Sequence, residues 1–266
     1  MNGGPRIGVF DSGFGGLTVL HELRKALPGA SYLYFGDTAH LPYGAKSVRT
    51  VAKYAIASAH CLEEQGIDLL VVACNTATAL AIDDIRAAVK VPVVGVIEPG
   101  AQRAAAISKS KRVAVLATEA TISSHAYRKA LEKCGLEATE KACPLFVPLV
   151  EEGWVEHPVT ERVAHIYMDE LFRDGARDTD VLVLGCTHYP LIRPLLRRVV
   201  PAHVEIVDSA ESTAAKVMEL VGTLSALKNP GSLRFFATDS VEKFRRLGEK
   251  FLGSSLESVE LVDIEK

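Results

Sequence analysis

The chain has 266 residues, 48% of them hydrophobic and 24% charged, ordinary proportions for one large or two small globular domains. Lys and Arg total 30 against 33 Asp and Glu, and the only basic stretches, 109–112 and 193–198, are short, which argues against a nucleic-acid-binding surface. No apolar run approaches the roughly 18 residues of a membrane span, and no apolar signal region precedes the first strand, so the expectation is a cytoplasmic protein with no membrane or nucleic-acid partner.

Short β-branched apolar runs alternate with helix-period segments along the chain. In order, the pattern predicts a strand at 7–10, a helix at 17–27, a strand at 32–35, a helix at 48–65 and a strand at 69–73. A helix at 82–89, strands at 93–96 and 113–116, and helices at 124–134 and 160–172 come next. Strands at 181–184 and 204–207, a helix at 210–224, and strands at 234–237 and 260–263 complete the series. Gly29, Gly66, Gly135 and Gly175 stand where helices should stop. This alternation predicts an α/β fold with mainly parallel sheets.

The chain also echoes itself. The segment 7–12 (IGVFDS) resembles 113–118 (VAVLAT), and 69–76 (LLVVACNT) resembles 181–188 (VLVLGCTH), at nearly the same separation. The expectation is two pseudo-symmetric α/β domains, 1–97 plus 208–266 and 98–207, with the active site in the cleft between them. Ligands of open α/β sheets sit at the carboxyl ends of the strands. Both Cys74 and Cys186 fall there.

There are five cysteines, and Cys61, Cys134 and Cys143 read as small core residues. No CxxC occurs, so neither a disulfide framework nor a zinc site is expected. Cys74 and Cys186 differ from the other three. Each ends an apolar strand, precedes polar side chains (Asn75 and Thr76; Thr187 and His188) and stands before a predicted helix, whose N-terminus favours a thiolate. Two such thiols on opposite sides of a substrate suit stereochemical inversion: one removes a proton and the other supplies one from behind.

The turn Asp11-Ser12-Gly13-Phe14-Gly15-Gly16 lacks the third glycine of a dinucleotide fingerprint, since position 18 is Thr18, and it lacks a Walker lysine. It reads as a tight turn whose backbone N–H groups bind a carboxylate, with Asp11 beside a base or capping the helix. Pro42, Tyr43 and Gly44 form a candidate substrate wall, and Thr118 and Thr121 offer hydroxyls from the other half. Glu151 and Glu152 fall in a plain turn, and His188 stands close enough in sequence to tune Cys186. Pyridoxal phosphate would need a Schiff-base lysine, and Lys46, the only one near a strand-end loop, has no phosphate-binding signal beside it.

Taken together, the segments IGVFDSGFGGLTVL (7–20), YFGDTAHLPYGAKS (34–47), VVACNTATA (71–79), PVVGVIEPG (92–100), CPLFVPLVEEG (143–153) and LGCTHYPLI (184–192) resemble the glutamate racemases of the aspartate/glutamate racemase superfamily. The resemblance implies a cofactor-independent enzyme that interconverts L- and D-glutamate and supplies D-glutamate for peptidoglycan. It implies that Cys74 acts on D-glutamate with Asp11 assisting, and that Cys186 acts on L-glutamate with His188 and Glu151 assisting. It places Ser12, Pro42, Tyr43, Gly44, Asn75, Thr76, Thr118 and Thr187 around the substrate. It implies a homodimer. Relatives activated by a cell-wall precursor carry a longer N-terminal extension than the six residues before Ile7, so no such activation is expected. The competing readings are an aspartate racemase, a single-cysteine hydrolase or transferase with His188 as base, and a non-catalytic binder of a small acid.

Overall fold

The computed structural model describes residues 4–173, 176, 178–222 and 231–264, so Gly175 and the end of the helix predicted at 210–224 lie outside the described residues. Its strands are β1 (Arg6–Asp11), β2 (Ser31–Gly36), β3 (Leu69–Val72), β4 (Val93–Gly95), β5 (Arg112–Ala117), β6 (Glu137–Ala142), β7 (Val181–Gly185), β8 (Glu205–Asp208), β9 (Leu233–Ala237) and β10 (Val259–Leu261). They form two sheets, in the orders β10-β9-β2-β1-β3-β4 and β6-β5-β7-β8. Every pairing is parallel, as the strand–helix alternation predicts.

The internal echo is structural. The order β2-β1-β3-β4 in one sheet matches β6-β5-β7-β8 in the other. Ile7 of β1 lies opposite Leu69 of β3, and Val113 of β5 lies opposite Val181 of β7. These are the pairs the repeated segments align. Cys74 and Cys186 therefore leave the carboxyl ends of equivalent strands.

The helices are α1 (Leu17–Ala26), α2 (Val48–Glu64), α3 (Asn75–Ala88), α4 (Ile97–Ile107), α5 (Glu119–Ser124), α6 (Ala126–Lys133), α7 (Phe146–Glu151), α8 (Pro158–Arg173), α9 (Arg193–Val199), α10 (Ser209–Val221) and α11 (Val241–Leu252). Helix α3 starts at Asn75, well before position 82, because Cys74 caps it directly after β3. The helix predicted at 124–134 is broken at His125, whose φ is 55°, into α5 and α6. Helix α4 was hidden by Pro99 and Gly100, yet Pro99 sits in the first turn, where no intrahelical N–H is required. Strand β6 (EATEKA) is a half-exposed edge strand with no apolar alternation to reveal it. The sequence pattern predicts no helix at α7, α9 or α11, although Phe244, Leu247 and Phe251 of α11 carry a helical period.

Gly66 and Gly135 adopt φ of +74° and +75° just beyond α2 and α6, the left-handed stop that glycine permits. Helices α1 and α10 pack on each other, and one continuous core runs from Val9 and Val71 of the first sheet through Leu20 and Val217 to Leu116 and Leu184 of the second. The two sheets are thereby held in a fixed relation around the cleft.

The loop entering β5 winds round the carboxylate of Asp180. It accepts from the Ser108 hydroxyl at 2.7 Å and from the Lys109 and Ser110 N–H groups at 2.6 and 2.7 Å. Burial works against the ionised carboxyl, but these donors outweigh it and hold the pKa down at about 2. A lowered folded-state pKa contributes stability above the ordinary value of 3.8 that is lost as pH falls through about 2. We expect Asp180→Ala to lower Tm by a few degrees at pH 7 and to flatten its fall between pH 4 and 2, as calorimetry across that range would show.

Candidate active site

Loops from the carboxyl ends of both sheets enclose a cavity of about 220 Å³. The first sheet contributes Asp11 and Ser12, then Pro42, Tyr43 and Gly44, then Cys74, Asn75 and Thr76. The second contributes Thr118, Glu151, Cys186, Thr187 and His188. Of the residues expected at the site, only Thr121 does not line the cavity. It is fully buried behind the wall, with its hydroxyl 2.9 Å from that of Thr118 and 3.3 Å from that of Thr76. Phe14, Leu41, Pro144, Val147 and Pro148 also line the cavity. Their apolar segments carried only a core signal, so sequence reasoning passed over them.

The glycines of the first turn serve close packing across the cleft. A Cβ on Gly15 would lie 2.3 Å from the Thr187 Oγ1 and 2.6 Å from the His188 Nδ1. One on Gly16 would lie 2.6 Å from the Asp11 Cβ and 2.9 Å from the Ala73 Cβ. The Thr18 hydroxyl, one turn on, donates to the Thr187 carbonyl at 3.0 Å. The carboxylate-binding turn expected from the sequence needs amendment, because the Gly13 N–H donates to Asp11 Oδ2 at 2.9 Å.

Cys74 is buried. Its thiol donates to Ser12 Oγ at 3.4 Å and accepts from the Ala77 N–H at 3.4 Å. Burial first, and Asp11 second, push its pKa up to about 12, although Ser12 and the Ala77 N–H favour the thiolate. The helix N-terminus expected to favour a thiolate is therefore present but outweighed. Asp11 is itself raised by burial, against the pull of His188 and backbone N–H donors. Its Oδ1 has no hydrogen-bond partner among the described residues.

Cys186 is equally buried but differently served. Its Sγ lies 3.9 Å from His188 Nδ1, and His188 Nε2 lies 3.3 Å from Glu151 Oε1. The other Glu151 oxygen is 3.7 Å from Lys243 Nζ. Burial opposes a charged His188, but contacts with Cys186 and Glu151 overcome it and raise the pKa to about 10. Glu151 is raised by burial and more strongly lowered by His188 and Lys243, so it stays ionised. The His188 ring stands edge-on to Phe14 and Phe251 at 6.5 and 5.0 Å, and α11 thus helps fix its plane. Cys186 is followed by a short 3-10 turn (Tyr189–Ile192), with α9 only beyond it, so the expected α-helix N-terminus is absent on this side.

The walls are cross-braced. The Tyr43 hydroxyl donates to Asp37 at 2.7 Å, and this fully buried carboxylate also accepts from Thr238 at 2.8 Å. The Thr76 and Thr118 hydroxyls are 3.0 Å apart and link the two halves. Among the described residues, no Lys or Arg lines the cavity. A bound carboxylate would be met by hydroxyls, amides and protonated His188.

The sequence profile described as Asp/Glu/hydantoin racemase matches residues 8–217. The chain is 58% identical to a glutamate racemase of Koribacter versatilis, over 98% of both chains. Its structure is similar to that of glutamate racemase from Thermus thermophilus in complex with β-chloro-D-alanine, with a TM-score of 0.87, 42% identity and 98% coverage of both chains. It is similar also to glutamate racemase from Francisella tularensis in complex with D-glutamate, with a TM-score of 0.90, 36% identity, and 100% and 99% coverage.

Proposed function

Since the chain belongs to the Asp/Glu/hydantoin racemase family, we propose that it interconverts L- and D-glutamate by two-base proton transfer between Cys186 and Cys74. The observation that carries this reading is the pair of buried cysteines at equivalent strand ends, lining one cavity.

At neutral pH, Cys74 holds its proton and His188 is protonated beside Cys186. With His188 Nδ1 3.9 Å from its Sγ, Cys186 acts as the base that takes the α-proton of L-glutamate. The electron pair passes into the substrate carboxylate. The Cys74 S–H then delivers its proton to the opposite face, giving D-glutamate, a Cys186 thiol and a Cys74 thiolate. The reverse reaction starts from that last state. Asp11 receives the substrate ammonium on the Cys74 side, Asn75 binds the carboxylate alike in ground and transition state, and Ser12, Thr76, Thr118 and Thr187 offset the charge developing on the carboxylate. No cofactor takes part in this scheme.

The test is to incubate the protein with L-glutamate in heavy water, following the α-proton by NMR and optical activity by circular dichroism. Both signals should fall, with deuterium in the D-product. Reaction of aspartate alone would overturn the substrate; exchange of neither amino acid by folded protein would overturn the enzyme reading. The pH profile of kcat/KM should be bell-shaped. Its alkaline limb should reflect His188 at about 10. In Glu151→Gln, loss of the carboxylate that raises His188 should move that limb to lower pH.

The same reading makes the product D-glutamate for peptidoglycan, made in the cytoplasm by a homodimer. Its support is the similarity to glutamate racemases. It also divides the chain into domains 1–97 plus 208–266 and 98–207; the return of β9 and β10 to the first sheet supports this division.

A further inference from the structure

The side chain of the wall residue Asn75 is held by a buried tyrosine of the opposite half of the molecule. The Tyr127 hydroxyl, on α6, donates to Asn75 Oδ1 at 2.7 Å. Asn75 Nδ2 donates to the Ser209 hydroxyl, at the start of α10, at 3.4 Å. The first distance is that of a hydroxyl donating to an oxygen, shorter than is usual for an amide N–H donor. It places the amide carbonyl on Tyr127 and leaves one Nδ2–H uncommitted on a residue that lines the cavity. Flipped, the same amide would present an oxygen in place of that donor.

The surroundings of Tyr127 are built for this reach. The ring is fully buried, and a Cβ on Gly185 would lie 2.7 Å from its Cε2. The strand leading to Cys186 thus ends in a glycine whose missing side chain leaves room for the ring that carries this hydroxyl. Thr187, the equivalent of Asn75 in the second half, has no such side-chain brace among the described residues.

We propose that Tyr127 is a positioning residue: it sets the Asn75 amide so that Nδ2 faces the cleft as a donor to the substrate carboxylate. The proposal rests on the glutamate racemase reading. Tyr127→Phe keeps the ring and removes only the hydroxyl. A donor lost equally to ground state and transition state raises KM and spares kcat. We expect KM for L- and D-glutamate to rise about five- to tenfold, with kcat within about twofold of the original. In an Asn75→Ala background, Tyr127→Phe should have no further effect on KM. An unchanged KM, or an equal rise in the Asn75→Ala background, would overturn the proposal.

A second measurement is independent of turnover. The chain has asparagine only at positions 2, 75 and 229, so selective 15N-asparagine labelling yields three side-chain amide signals, and Asn75→Ala assigns one of them. That signal should shift or broaden in Tyr127→Phe while the Tm falls by no more than a few degrees. An unmoved signal would overturn the positioning role. If the unmodified protein failed to racemise glutamate, the functional reading would fall, and the amide signal alone would decide the role of Tyr127.

Discussion

Replacing Cys74 or Cys186 by alanine should lower kcat/KM for glutamate racemisation by about 10²- to 10⁴-fold, the usual contribution of a positioned acid or base. The loss should be equal in both directions for each variant. L- and D-glutamate are mirror images, so their equilibrium constant is one, and no substitution can change the ratio of forward to reverse kcat/KM. The two variants should differ in proton exchange. Cys186→Ala retains the thiol beside Asp11 and Ser12, so D-glutamate should slowly take up deuterium with retained configuration, while L-glutamate does not. Cys74→Ala retains the thiol paired with His188, and the pattern should reverse. Both side chains are small, so folding should persist and circular dichroism melts should stay close to the parent. A single variant that still inverts glutamate at near-parent rates would defeat the two-base scheme.

Gly15→Ala should cost at least about 10² in kcat/KM while lowering Tm only modestly. Its new methyl group would meet the Thr187 hydroxyl and His188 Nδ1, both terminal parts of side chains that can turn aside. Turning His188 aside separates Nδ1 from Cys186 and disrupts the contacts that keep the imidazole protonated. Gly16→Ala provides the contrast. Its methyl group would meet the Cβ atoms of Asp11 and Ala73, which are fixed to backbone and cannot rotate away. Overpacking of that kind costs about 1–3 kcal/mol, so Gly16→Ala should lose stability first. Parallel measurement of Tm and kcat/KM in the two variants checks the assignment. Equal effects on both properties in both variants would refute it.

The buried Asp11 shows how stability is traded at this site. Its carboxyl is raised by burial, and one oxygen has no hydrogen-bond partner among the described residues, so its ionised form is disfavoured in the fold. It is retained beside Cys74, where a substrate ammonium would supply the missing partner.

Much of this protein was legible from local pattern. The β-branched runs identified nine of the strands, because a buried parallel strand must be apolar on both faces. The repeat of strand, cysteine and polar pair found both thiols and paired them, because equivalent strands in two parallel sheets end in equivalent places. Strand β6 escaped because an exposed edge needs no apolar pattern, and α4 escaped because Pro99 is harmless only once the helix start is known. The apolar side of the cavity escaped because Leu41 and Val147 look in sequence like any core residue.

The sequence alone determined the fold class and the internal repeat and singled out the two strand-end cysteines, since these depend on residue type and local spacing. Only the tertiary structure decided what surrounds them. It placed Thr121 behind the wall rather than on it, gave Gly15 and Gly16 their roles in close approach, and set Tyr127 against Asn75. It also made the two thiols unequal, one beside a buried carboxylate and one beside a protonated imidazole. Burial and neighbouring charge set these properties, and both arise from segments far apart in the chain that meet only when the two sheets close on one cleft.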